Sequence, residues 1–397
     1  MISYSEALRN ISQLRIASHT CNTDLNHCLN QVLAEDIFAP EASPRFDNSA
    51  MDGIACHGED VKQGAKLKLL QTKLAGDATQ IDEQSLKPGT AIRIMTGAAV
   101  PGCYNSVIPI ELVEIIEDDI AHLQPGVEPL RHIRKKGEDI SAGDRLWRAG
   151  HRVTPETIMI AANFGMTCLP LKRFPKVLII STGNELTEPG HALTANSIYN
   201  SSKFFLRSAL RAEGLEEAEF LHIRDDLAAA QNILNPYLQD SEAPTLIIST
   251  GAVSMGVSDF IPEFVRQAGF EIRFHKVKIR PGKPVLLAQK RNLVWLGLPG
   301  NPISTAVGWH FFAKPIISTI MSTEDKKPLF TVTSAAIKKP GGLTCFYRAR
   351  ADGHMAELLN GQGSAQFLAS TQANAYIVLP EEPNSLPAGY KVETHYL

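Results

Sequence analysis

Between Lys176 and Ser322, short apolar runs and helix-forming stretches take turns, and no other feature of this 397-residue chain constrains its fold as strongly. The runs 177–181, 219–223, 245–250, 272–277, 285–287 and 293–298 read as strands. The stretches 198–212, 227–238, 259–267 and 302–321 read as helices, the first ending at Gly214. No turn signal between adjacent runs suggests a hairpin. The alternation therefore predicts a doubly wound, mostly parallel sheet with helices on both faces. Ligands of such sheets sit outside the C-terminal strand ends. The apolar stretch 303–321 holds His310, Lys314 and Pro315, which suits a buried helix better than a membrane span.

Elsewhere the signature differs. Ser3-x-x-Glu6 is a capping box opening a first helix, and 25–39 reads as a second helical stretch stopped by Pro40 and Pro44. From Phe46 to about Glu138, short runs at 67–70, 91–95, 106–110 and 112–116 are separated by Gly, Pro and Asp turns, a β-rich pattern. Residues 139–175 mix polar turns with one helix at 155–164, and 327–397 reads as a small β domain. The expected organisation is α/β and multidomain. Residues 1–45 with 139–175 form an N-terminal linker domain, 46–138 an inserted β-rich module, 176–326 the central sheet domain, and 327–397 a C-terminal β domain. The length alone suits two to four domains.

Composition removes several function classes. With 44% hydrophobic residues the chain can bury several cores, so wholesale disorder is excluded. A net charge of −3, from 39 basic and 42 acidic residues, argues against a chain-wide grip on nucleic acid. Six dispersed cysteines with no C-x-x-C pair read as reduced packing thiols of a cytoplasmic protein. The first residues lack the basic and apolar regions of a signal peptide. Neither membrane nor nucleic acid is an expected partner.

Six segments can carry chemistry. Phe46 to Gly53 is a tight turn that either points Asp52 into a cleft or leaves it a solvated Asx-type turn. Arg93 to Ala98 runs a strand into Thr96-Gly97, whose N–H groups and hydroxyl suit an anion or simply end the strand. Arg134-Lys135-Lys136-Gly137-Glu138-Asp139 is an oxyanion site or an internally neutralised loop. Thr182-Gly183-Asn184-Glu185 and Ser249-Thr250-Gly251-Ala252-Val253-Ser254 follow two strands of the same sheet. Such strand-to-helix turns present N–H groups to phosphate. The second turn lacks the lysine of a Walker A loop, which disfavours an ordinary nucleotide-hydrolysing enzyme. Lys276 to Pro284 carries four further cations around a Pro-Gly turn. Strand alternation would set Lys276, Lys278 and Arg280 on one face. The alternative is a solvated basic rim. Pro299-Gly300-Asn301-Pro302 follows the last strand.

In this order the segments D-N-S-A-M-D-G, R-I-M-T-G-A, G-E-D-I, P-G-K-P and G-L-P-G-N-P, with Gln372 to Leu379, give the chain its resemblance to the MoeA family. These are the molybdopterin molybdenumtransferases of molybdenum cofactor synthesis, also represented by the C-terminal half of gephyrin. The resemblance covers essentially the whole chain. It implies an elongated, four-domain homodimer whose sheet domain is like the molybdopterin adenylyltransferase fold, with a cleft completed by the β module of the other subunit. It implies that adenylylated molybdopterin and molybdate are taken up, that AMP is released with Mg²⁺, and that molybdenum stays on the dithiolene. The molybdopterin adenylyltransferase and recipient molybdoenzymes would be partners.

Carried over by motif, the functional acids and hydroxyls are Asp52, Thr96, Asp139, Glu185, Asp225 and Asp259, with Glu185, Asp225 and Asp259 holding the metal. Binding positions fall on Thr182, Gly183, Ser249, Gly251, Ser254, Lys276, Arg280, Pro281, Gly282, Lys283, Pro299, Asn301 and Pro302. A dianion and a pyrophosphate call for cations, and cleaving a phosphoanhydride calls for a hard metal on carboxylates. Five departures stand out: Asn184 and Asn200 where acids are expected, Ser202 for Asn, Ala252 where the pattern has Gly, and Arg280 for Lys. The two lost charges, at Asn184 and Asn200, leave a non-catalytic molybdopterin-binding scaffold as the alternative.

Overall fold

The computed structural model describes every residue except 18, 80, 117–118, 216–217, 239–244, 255–258 and 324–327. The chain divides into two units, 1–35 with 149–162 and 166–397, and 36–148 with 163–165.

In the first unit the central sheet has six strands: β1 (Lys176–Thr182), β2 (Ala218–Ile223), β3 (Thr245–Thr250), β4 (Glu271–His275), β5 (Leu286–Lys290) and β6 (Leu293–Leu298), ordered β2-β1-β3-β6-β5-β4. Alternate residues serve opposite faces, as strand geometry requires. Val177, Ile179, Leu246, Ile248, Val294 and Leu296 pack against the helices Tyr4–Ser12, Ser201–Ala212 and Lys314–Met321. Leu178, Ile180, Ile247 and Trp295 pack against Leu227–Leu234 and Ile261–Gln267. The doubly wound prediction holds for β2, β1, β3 and β6, which are mutually parallel.

It fails at the other edge. β5 runs antiparallel to β6 and to β4. Only Arg291-Asn292 separates β5 from β6, and Arg291 adopts a left-handed φ of 50°. That is the tight hairpin turn which the sequence reading passed over, because the apolar run looked interrupted rather than reversed.

One further expectation changes and others hold. The capping box forms as read, with Ser3 and Glu6 satisfying each other's backbone N–H groups. The stretch 25–39 is not a helix. It holds one 3₁₀ turn, Leu25–His27, capped by Asp24, then turns and isolated bridges leading to a short strand, Ile37–Phe38. Val32 and Leu33, adjacent in sequence, are both fully buried, bridged to Arg152 and Leu171. The buried stretch 302–321 is one helical run with a π-helical centre, Trp309–Ala313. Among the described residues no helix is long and apolar enough to cross a membrane, and all six cysteines are free thiols.

The C-terminal residues build a second six-stranded sheet in this unit, which takes in Ile279–Arg280 as a parallel edge strand beside Thr344–Ala351. In the second unit, a six-stranded sheet contains Gly53–Cys56, Lys66–Lys73, Thr90–Ile94, Ser106–Pro109, Val113–Ile116 and Ile120–Leu123. Gly53 is forced by packing: a Cβ there would lie 1.9 Å from the Ile108 carbonyl oxygen.

Candidate active site

Chain order dictates where the first unit can bind a ligand. From β1 the chain crosses outward to β2 and then returns to β3 on β1's other side, so the winding direction switches between β1 and β3. Crossover helices diverge at such a point and leave a crevice beyond the strand ends. The turns after β1 and β3 meet there. A Cβ on Gly251 would stand 2.6 Å from Thr182 Oγ1 and 2.9 Å from its carbonyl oxygen, so only glycine allows the approach. The turn after β6 joins them, since a Cβ on Gly300 would touch the Gly251 Cα at 3.4 Å.

Several predicted binding residues turn out to be the framework of this crevice. The Thr182 hydroxyl donates to the Thr250 carbonyl at 3.2 Å, tying β1 to β3. Ser249 is fully buried, and its Oγ accepts the Trp295 indole N–H at 2.9 Å. Asn301 Oδ1 accepts the N–H groups of Ile303 and Ser304, capping the helix Pro302–Gly308, with Pro302 at a first-turn position. The Pro299 carbonyl accepts from the Thr305 hydroxyl at 2.9 Å. Ser254 is exposed at the end of the β3 turn, and 255–258 beyond it lie outside the described residues.

The acids behave differently. Asp225 follows β2, with Glu185 after β1 and Asp259 after β3. Burial, then the charge of Glu185, and less strongly that of Asp259, push the Asp225 carboxyl above its ordinary range, although it accepts the Asn184 backbone N–H. Asp225 thus lies within reach of the charges of both other acids, as expected for strand ends that converge. Among the described residues, however, no three His, Cys, Asp or Glu side chains stand together as a metal-holding group. The three side chains therefore do not form a closed cage by themselves.

The set does fit a looser arrangement. Mg²⁺ commonly takes one or two carboxylates and fills its shell with water and substrate phosphate. The sequence reading missed His222, whose Nε2–H donates to the Gly183 carbonyl at 2.9 Å and braces the turn bearing Glu185. Its place at the C-terminal end of a parallel strand was the available signal.

Asn184 and Asn200 were read as lost charges. Asn184 is exposed and contributes its backbone N–H to Asp225. Asn200 is buried and caps the helix Ser201–Ala212, accepting the Lys203 N–H at 3.3 Å. Asn caps a helix as well as Asp does, so Asn200 keeps a helix-capping role that an acid there would also fill.

Along the basic turn burial alternates, with Val277 and Ile279 buried and Lys276, Lys278 and Arg280 outside them, but the run is not one continuous strand. Lys276 has a φ of 71°, which ends the extended run after β4. The Val277 N–H then donates to the Lys283 carbonyl at 3.0 Å, closing a loop over Arg280, the buried Pro281 and Gly282. Arg280 and Lys283 are exposed at its sides. A Cβ on Gly282 would touch Ser304 at 3.6 Å, so this loop sits against the first turn of the helix Pro302–Gly308.

In the second unit three predicted segments come together. Asp52 Oδ1 accepts both the backbone N–H and the hydroxyl of Thr96, each at 2.7 Å, and these bonds hold its carboxyl below the ordinary range. Asp47 accepts the Lys135 ammonium and the Lys136 N–H, each at 2.8 Å, so Lys135 is paired with an acid of the 46–53 turn rather than with one inside its own loop. Asp139 is exposed, its backbone N–H donating to Ser43 at 3.3 Å.

Comparison with known proteins agrees along the chain. Residues 2–165 match the model of the MoeA N-terminal region (domain I and II), 178–319 that of the "Probable molybdopterin binding domain", and 331–397 that of the MoeA C-terminal region (domain IV). A molybdopterin molybdenumtransferase of Synechococcus elongatus is 34% identical, with both chains covered in full. The protein of that name from Haemophilus influenzae is 31% identical over 96% of this chain and 95% of its own. The crystal structure of a molybdopterin biosynthesis MoeA protein from Pyrococcus horikosii superposes with a TM-score of 0.81 at 26% identity, covering 100% of this chain and 99% of that one.

Proposed function

Because the chain belongs to the MoeA family of molybdopterin molybdenumtransferases, we propose that it acts in molybdenum cofactor biosynthesis as a transferase that inserts molybdenum from molybdate into adenylylated molybdopterin. The observation that carries the reading furthest is the crevice between β1 and β3. It combines crowded carboxylates with a closed cationic loop on a neighbouring rim. A metal-dependent cleavage of a phosphoanhydride in the presence of an oxyanion needs both.

Glu185 and Asp225 would hold Mg²⁺, with Asp259 orienting its waters. When bound, the ion supplies Lewis-acid polarisation of the phosphoanhydride. The N–H groups and small residues of the turns after β1, β3 and β6 leave room for a phosphate. Arg280 and Lys283, displayed on a loop closed by Val277, supply charge-assisted hydrogen bonds to molybdate. Losing one such bond costs about 1.5–3 kcal/mol. Lys283→Ala should therefore raise the molybdate needed for half-maximal turnover about tenfold and change pterin binding less. Asn200 as a helix cap weakens one of the two grounds for a non-catalytic scaffold.

Homodimer formation belongs to the same proposal, on the strength of the family resemblance, and light scattering at micromolar concentration tests it. The reaction itself is tested by incubating the protein with adenylylated molybdopterin, Mg²⁺ and molybdate. AMP release with molybdenum retained on the pterin is expected. Binding of the pterin without AMP release would establish the scaffold instead.

A further inference from the structure

At the opposite, N-terminal edge of the same sheet lies a cavity of about 890 Å³, formed where β1 and β2 begin and the helix Ser201–Ala212 has just ended. β1 is seven residues long, so at about 3.3 Å per residue roughly 20 Å of strand separates this cavity from the crevice just described.

The lining has two parts. Val177 and Leu215 are each only 3% exposed and, with the half-buried ring of Phe174, give it an apolar floor. Arg173, Lys176 and Arg211 stand exposed around it, and none of the three has an ion-pair partner among the described residues. The acid on the wall, Glu219, accepts the Tyr237 hydroxyl. Cations gathered with no ion-pair partner among the described residues repel one another, and an anion relieves that. A volume several times that of a phosphate, with a ring and aliphatic floor, suits a molecule that also carries a flat apolar part.

We propose that this cavity binds a phosphorylated small molecule with an aromatic ring, of the nucleotide class, with the ring on Phe174, Val177 and Leu215 and the phosphate among Arg173, Lys176 and Arg211. The site is separate from the crevice at the other strand ends, and the proposal does not depend on the reaction given above.

Hydrogen exchange of the full chain in the presence of AMP reads it, with inorganic phosphate and adenosine as partial probes. AMP should protect 26–31, 173–177 and 211–215, and either partial probe should protect them less. Lys176→Ala combined with Arg211→Ala should raise the AMP concentration for half-maximal protection at least tenfold, with the unliganded exchange pattern elsewhere unchanged. Protection confined to the turns at 182–185 and 250–254 would overturn the proposal while leaving the reaction intact. So would protection of the cavity that the double variant retains. Inorganic phosphate protecting as well as AMP would overturn the ring-bearing class.

Discussion

Asp52 and Asp225 are both acids at the ends of strands, and their surroundings set them to opposite tasks. Asp52 receives two hydrogen bonds from Thr96, and its charge is stabilised before any ligand arrives. Asp225 receives one backbone N–H and faces burial and two other acids, so its charge is disfavoured until a cation comes. A carboxylate already satisfied is a fixed anchor. A carboxylate held in excess negative charge is, on the function proposed above, the one that would take a metal ion. The second unit and the first thus use one side chain in two ways.

The sharpest break of this contrast is Asp225→Asn. Metal-dependent AMP release should fall on the order of 100-fold, the scale on which a preorganised electrostatic group contributes. The unliganded protein should nevertheless melt slightly higher at neutral pH. The sign follows from linkage: a carboxyl whose folded pKa is raised costs no stability below its ordinary value of 3.8, and progressively destabilises the fold as pH climbs from there through the raised value. The amide removes that loss. Parallel activity assays and thermal melts at pH 7 check both halves, and reduced stability in the variant would contradict the account of Asp225.

Gly53→Ala attacks the other side of the comparison. The added Cβ would lie 1.9 Å from a strand carbonyl oxygen, so the Asp52 turn must shift or the strand pair part. A loss of at least about 3 kcal/mol is expected, the upper end for overpacking, measured by urea denaturation. A milder change is Thr96→Ala, which leaves the sheet alone. Asp52 now titrates below 3.8, so its bonds add stability above the ordinary value that is lost as pH falls through the lowered one. Removing the hydroxyl should move the Asp52 titration upward by NMR while leaving Asp225 where it was.

The sequence carried the six strands of the central sheet and four of the six in the second unit because short apolar runs are local, while Gly53–Cys56 and Ile120–Leu123 were passed over. What it could not separate was side chains that hold the crevice from side chains that face it. Ser249 and Asn301 have the small polar character of binding residues, yet one is spent on the Trp295 indole and the other on a helix cap. The basic loop was legible only in part: its burial does alternate along 276–280. Lys276, Lys278 and Arg280 have strand spacing, but the left-handed Lys276 and the Val277–Lys283 bond are long-range choices that period 2 does not reveal. The β5–β6 hairpin failed because a two-residue turn of Arg and Asn lacks glycine.

The smallest expected effect tests a departure within the crevice itself. Ala252 stands where related sequences are expected to have glycine, and its φ of 50° lies in the left-handed region. An L-residue there costs about 1–2 kcal/mol, whereas glycine pays about 0.5–1 kcal/mol in extra chain entropy. The difference favours Ala252→Gly by roughly 0.5 kcal/mol. Alanine is half-buried against the core face that includes Ile261 and Phe264, so the lost methyl contact offsets part of that gain. The Ile261 N–H donates to the Ala252 carbonyl at 3.1 Å, and a looser residue 252 would let the turn before Asp259 move. The variant should therefore unfold at slightly higher urea and show faster hydrogen exchange at 251–254, while Asp52 and Thr96 in the other unit remain unchanged. A clear loss of stability would mean that the methyl group, rather than the backbone, governs this turn.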